Sequence, residues 1–217
     1  MASEHIYKQF DSDLEAIRAK VLEMGTLVEE QTANAVKSLL NTDIKLAEEV
    51  MKRDVQINDL EMAIDEETSL LIAKRSPAAG DLRNIMMMLK IITDLERMGD
   101  EAAKIARSTT RIFEDNRMSK PRFTEIKGMA KAVQGMIKTA LNSFARLDLS
   151  DTIDILEKDK QVDDDYRSCM RQLLTFMLED PRTISMSLES MFIAKSLERI
   201  GDHAVNISQS VIYTVKG

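Results

Sequence analysis

The chain has 217 residues, with 30 Lys and Arg against 37 Asp and Glu and a formal net charge of −7. Three prolines, seven glycines, 4% aromatics and 15 methionines suit long helices with aliphatic and Met-filled cores, and argue against a sandwich or barrel. The acidic balance, without a basic block, disfavours nucleic acid and direct binding to anionic lipid.

Apolar residues recur at three- and four-residue steps through Phe10, Leu14, Ile17, Val21, Met24 and Val28, then Ala35 and Leu39. That stripe predicts a first helix over about 6–40. Asn41-Thr42-Asp43 breaks it and offers N-cap residues for a second helix over 43–75. Ser76-Pro77 sets a capping residue before a proline at the first helical position, opening a third helix over 77–113. The polar, stripe-free segment 114–122, which contains Pro121, reads as a linker. A fourth helix follows over 123–146, then a turn at Leu147–Ser150 and a fifth helix over 151–179. Asp180-Pro181 repeats the cap-then-proline signal and opens a sixth over 181–214. No apolar run approaches the roughly 20 residues that cross a bilayer. The lone Cys169 and the absence of a signal-peptide pattern point to a cytoplasmic protein.

The two halves align. Glu96 matches Glu198 at an offset of 102, and upstream Met24, Val28, Ala35 and Leu39 match Met129, Val133, Ala140 and Phe144 at 105. The expected fold is therefore all-α: two tandem three-helix repeats, 1–113 and 123–217, joined by the linker 114–122.

The repeat carries an oddity. Glu96-Arg97-Met98-Gly99-Asp100 recurs as Glu198-Arg199-Ile200-Gly201-Asp202. Acids four apart share one helix face about 6 Å apart and repel, and a helix-interior glycine costs roughly 1 kcal/mol against alanine. A second pair per half, Asp54/Asn58 and Asp159/Asp163, lies about as far from the intervening turn as the first. Antiparallel helices then bring four oxygen-bearing side chains to one height in each half. Such all-oxygen sites suit hard cations, and carboxylate-rich ones also suit iron. The plainer alternative is a solvated helix face with ordinary pairs such as Asp100–Lys104 and Arg97–Glu101. His203, about 100° round the helix from Asp202, reads as a surface or supporting residue. Met86-Met87-Met88 and Cys169 read as core.

Catalytic signals are missing. The chain has no Gly-rich phosphate loop, no Ser/His/Asp or Cys/His motif and no Glu-x-x-His element. The expectation is a protein that is not an enzyme. The competing reading is a carboxylate–metal phosphoesterase, which needs closely spaced metals and a concave pocket.

Pro77-Ala78-Ala79-Gly80-Asp81-Leu82-Arg83, Leu89-Lys90-Ile91, Asp94–Asp100, Leu197–His203 and the Met24–Val28 segment with its partner at Met129 together form a specific pattern. It resembles the bacterial PhoU family, accessory proteins of the high-affinity phosphate-specific transport system, across essentially the whole chain. The resemblance implies two pseudo-twofold-related three-helix bundles, with iron or other divalent cations (Fe, Mg, Mn or Zn) at (Asp/Glu)-x-x-x-Asp motifs. It implies negative regulation of the phosphate-starvation (Pho) response and of phosphate uptake. The role is that of a cytosolic adaptor between the ATPase subunit of the phosphate ABC transporter and a sensor histidine kinase. Membrane contact would then be peripheral and through protein, and the protein a homodimer. Carried over residue by residue, the metal motif falls on Asp54, Glu96, Asp100, Asp159, Asp163, Glu198 and Asp202. Asn58 departs from it: its amide still offers a carbonyl oxygen, but the first site loses a negative charge and is expected to bind metal more weakly. Ser196, standing where the first half has Asp94, leaves the second half poorer at that position.

Overall fold

The computed structural model describes residues 2–114, 124–150 and 152–216. Among them are six long helices and no strand: α1 (Ala2–Asn41), α2 (Ile44–Arg75), α3 (Ala79–Glu114), α4 (Thr124–Arg146), α5 (Thr152–Glu179) and α6 (Ile184–Lys216). Apart from Glu114, which ends α3, the expected linker lies outside the described residues.

The helix ends show the duplication in backbone detail. At the end of α1, Thr42 turns left-handed (φ 58°) and the Asp43 N–H donates to the Ser38 carbonyl at 2.8 Å. At the end of α4, Leu147 turns left-handed (φ 51°) and the Asp148 N–H donates to the Ser143 carbonyl at 3.2 Å. Both are the six-to-one closure that satisfies orphan carbonyls at a helix C-terminus, 105 residues apart. Asp43 then caps α2, its carboxylate accepting from the Leu46 N–H at 3.0 Å. Asp180 caps as expected, but what it opens is a 3-10 turn over Pro181–Thr183 that precedes α6. Ser76 behaves differently from the expectation. It closes α2 in the left-handed region (φ 46°) with its N–H on the Ile72 carbonyl, and α3 starts three residues later, at Ala79. The residue before a proline is steered out of the right-handed α region, so the chain breaks there before it re-enters a helix.

The α1 stripe is buried through Phe10, Ile17, Val21, Met24, Val28, Ala35 and Leu39, and α1, α2 and α3 pack on one another. The helices α4, α5 and α6 do the same around Met129, Val133, Ile137 and Phe144. The two bundles share one continuous apolar core. They meet mainly along α3 and α6, and α1 also touches α4. Gly25 makes that second contact possible, because a β-carbon there would collide with the Leu141 side chain. Met87, Met88 and Cys169 are buried as expected, whereas Met86 is exposed. Burial pushes the Cys169 thiol up to about 11.

The seam between bundles is itself a duplicated contact. Glu101 on α3, with only 4% of its side chain exposed, accepts from the Ser196 hydroxyl at 2.8 Å and pairs with Arg199 at 2.9 Å. At the equivalent place in the other copy, Asp94 meets His203 Nδ1 at 2.8 Å and accepts from the Asn206 amide at 3.2 Å. Asp94 and Ser196, and Glu101 and His203, are both 102 residues apart. His203 is thus a joint residue between bundles, and Ser196 a partner of Glu101. Glu101 points to α6, so the expected Arg97–Glu101 pair does not form; Lys104 pairs with Glu101 rather than with Asp100.

Candidate functional site

In the first half, α2 supplies Asp54 and Asn58 and α3 supplies Glu96 and Asp100. All four are partly sheltered from water. Partial burial is the largest cause holding Asp54 above the ordinary carboxylate range; the Gln31 hydrogen bond pulls it back and Asp100 pushes it up. Glu96 is raised first by partial burial, then by the neighbouring charges of Asp100, Glu61 and Asp54. Asp54 and Glu96 therefore both sense the charge of Asp100, as their spacing predicts. Asn58 Oδ1 is buried with no donor among the described residues.

In the second half, α5 supplies Asp159 and Asp163 and α6 supplies Glu198 and Asp202. Asp159 is raised by partial burial and then by Asp163, Asp202 and Glu198. Asp202 is more open but is also raised, again by desolvation first and Glu198 next. Four acids here face one another where the first half has three and an amide.

The motif glycine of the first half explains how its two helices come this close. A β-carbon on Gly99 would stand 2.9 Å from Ile57 Cδ1 and 3.4 Å from Asp54 Oδ1. On Gly201 it would stand 3.5 Å from Met136 Cε and 3.9 Å from Asp159 Oδ1. Each glycine is thus the floor on which the α2 or α5 carboxylate rests, more tightly in the first half.

A model described as the PhoU domain matches residues 21–109 and again residues 126–211. The chain belongs to the PhoU family. It is 44% identical over 216 residues to the phosphate-specific transport system accessory protein PhoU homolog of Pseudomonas putida, covering 99% of this chain and 84% of that one. It is 40% identical over 215 residues to the Escherichia coli (strain K12) accessory protein PhoU, covering 99% and 88%. The crystal structure of PhoU from Pseudomonas aeruginosa superposes with a TM-score of 0.92 at 44% identity, over 96% of this chain and 99% of that one. The phosphate transport system regulatory protein PhoU from Streptococcus pneumoniae gives 0.86 at 28%, over 94% and 96%.

The donor chemistry of these PhoU clusters fits a hard cation: grouped carboxylates, of which Asp54, Glu96, Asp159 and Asp202 are raised, and in the first half an orphaned carbonyl oxygen. Their present rotamers do not gather round a point, for among the described residues no three acidic, His or Cys groups stand close enough to hold a metal ion. Basic side chains instead stand beside the acids. Arg97 reaches Glu96 at 3.3 Å and Asp100 at 3.8 Å. Lys195 donates to both Glu198 oxygens at 2.7 and 2.6 Å and lies 5.5 Å from the Tyr166 ring centre. Sequence reasoning missed both roles, together with Glu61, whose charge reaches Glu96 and whose own carboxyl is raised by partial burial. A signal for Glu61 existed, since it follows Asn58 by three residues on the same helix face. None existed for Gln31, which arrives from α1.

Proposed function

We propose that this chain serves a phosphate transport system as an accessory protein, the role named for its relatives, and does so as a regulatory adaptor rather than an enzyme. The observation that carries the reading is a match spanning both halves of the chain to proteins named for that accessory role. In this reading it restrains phosphate uptake and the phosphate-starvation response from the cytoplasm. It does so by linking the ATPase subunit of the phosphate ABC transporter to the sensor histidine kinase, as a homodimer. In this reading contact with the bilayer goes through those protein partners; no helix among the described residues is long and apolar enough to cross a membrane.

The eight motif residues, Asp54, Asn58, Glu96 and Asp100 with Asp159, Asp163, Glu198 and Asp202, are the groups that would hold Fe, Mg, Mn or Zn cations. A bound cation would supply positive charge that relieves their repulsion and fixes the helix pairs in one geometry. Hydrolysis is the weaker reading. A cavity of about 620 Å³ between α3 and α6 is lined by Met86, Lys90, Asp94, Asn206 and Tyr213 among others, and by none of the eight. The acids lie on helix faces, which do not enclose a substrate.

The test is capture of the transporter's ATPase subunit and of the cytoplasmic part of the kinase by the purified chain, with and without divalent metal. Binding of both is expected, weakened by chelation and by Glu96→Ala. Binding indifferent to both treatments keeps the adaptor and reduces the clusters to structure. No binding in any condition, with phosphoester turnover that disappears in Glu198→Ala, overturns the reading in favour of hydrolysis.

A further inference from the structure

The two clusters differ in one acid, Asn58 against Asp163, and also in what the third helix of each bundle brings to them. From α1, buried Gln31 sends its amide nitrogen to Asp54 Oδ1 at 3.1 Å and to the Gly99 carbonyl at 3.4 Å. The residue 105 positions later on α4 is Met136, fully buried, whose sulfur and terminal methyl lie 3.7 and 3.5 Å from the point where a Gly201 β-carbon would be. Asp159 Oδ1 lies 3.9 Å from that same point. Each third-helix side chain thus arrives over the motif glycine beside the α2 or α5 carboxylate. An amide can donate to that carboxylate and a thioether cannot.

We infer that Gln31, which lies outside the acidic motif, is a positioning residue for the first cation cluster, and that Met136 leaves the second cluster without one. This rests on the reading of the clusters as cation sites. Gln31 satisfies one oxygen of Asp54 and pins the carboxylate against Gly99, and Asp54 Oδ2 takes no hydrogen bond among the described residues. The side chain is therefore held with one oxygen free before any cation arrives. Hydrogen bonds of this kind, which orient a ligand from behind, typically carry 10–100-fold in metal affinity. In the second half Asp159 has no hydrogen bond among the described residues; a cation must displace or share Lys195 on Glu198 there, as it must Arg97 on Glu96 and Asp100 in the first half. The first cluster compensates for the charge missing at Asn58 by preorganisation. The second has the greater charge but no side chain that holds Asp159 in place.

The experiment is titration of the full, metal-stripped chain with Mn²⁺ alone, followed by calorimetry and by the electron paramagnetic resonance of free Mn²⁺. Glu198→Gln isolates the first cluster and Glu96→Gln the second. In the first background, Gln31→Met is expected to weaken Mn²⁺ binding by about 10–100-fold. In the second, Met136→Gln is expected to tighten it about tenfold, and Met136→Leu to leave it unchanged. A structural role for Gln31 would lower folding stability but could not be transplanted, so Met136→Gln decides the matter even if Gln31→Met fails to fold. Mn²⁺ binding that Glu96→Gln and Glu198→Gln each diminish, but that neither Gln31→Met nor Met136→Gln alters, overturns the positioning role alone. No Mn²⁺ binding by the wild-type chain overturns the cation reading and this inference with it.

Discussion

Glu101→Ala probes whether the α3–α6 seam holds the two bundles as one unit. The substitution strips the buried Ser196 hydroxyl of its acceptor, at a cost of about 1–3 kcal/mol. Lys104 and Arg199 are 45% and 49% exposed and return to water, so each lost ion pair costs at most about 1 kcal/mol. Release of a carboxylate from a site where only 4% of its side chain meets solvent offsets part of this loss. The net destabilisation is about 2–3 kcal/mol. Urea denaturation followed by far-ultraviolet circular dichroism reads it directly: with a slope near 2–3 kcal/mol/M, the midpoint falls by about 1 M. Loss of the seam also broadens the transition or splits it, because each bundle retains its own share of the core. Glu101→Gln, which can still accept from Ser196, falls less. A Glu101→Ala midpoint within about 0.2 M of wild type, with an unchanged slope, would refute the reasoning.

The two motif glycines respond to alanine with opposite sign. Gly201→Ala meets only ordinary contacts and gains up to about 1 kcal/mol of helix propensity, whereas Gly99→Ala crowds Ile57 and Asp54 and lowers the melting temperature; equal shifts in thermal denaturation would contradict this. The metal-free chain should become more stable as pH falls from neutral towards the carboxylate values of the unfolded chain. The reason is that partial burial raises Asp54, Glu61, Glu96, Asp159 and Asp202 above the ordinary values of 3.8 for Asp and 4.5 for Glu. The folded state then holds these protons more tightly than the unfolded chain, so the penalty is absent below the unfolded values and complete above the folded ones. Saturating Mn²⁺ should flatten that pH dependence of the melting temperature, and a metal-free stability that is flat or declines over the same interval would rule the account out. Asn58→Asp restores the fourth charge of the first cluster and should tighten Mn²⁺ there while lowering metal-free stability; an unchanged affinity in calorimetric titration would sink the first half of that expectation.

The sequence by itself determined the six helices and the duplication. Local signals carry both: the three- and four-residue stripe through Val21, Met24 and Val28, the capping Asp43 and Asp180, and the recurrence of Glu-Arg-apolar-Gly-Asp. It also determined that the acids of each half lie at one height, because helix rise and the length to the turn set that. It misplaced Ser76, whose conformation is governed by the proline that follows. Tertiary structure alone decided which charges meet. Glu101 was free to pair along its own helix and pairs instead with Ser196 and Arg199, since the α3–α6 seam buries it beside them. Gln31 and Met136 reach the clusters from a third helix, at a sequence distance that no periodicity spans. Side-chain pairing between helices depends on crossing geometry and burial, which the whole packed core sets and no local run of residues encodes.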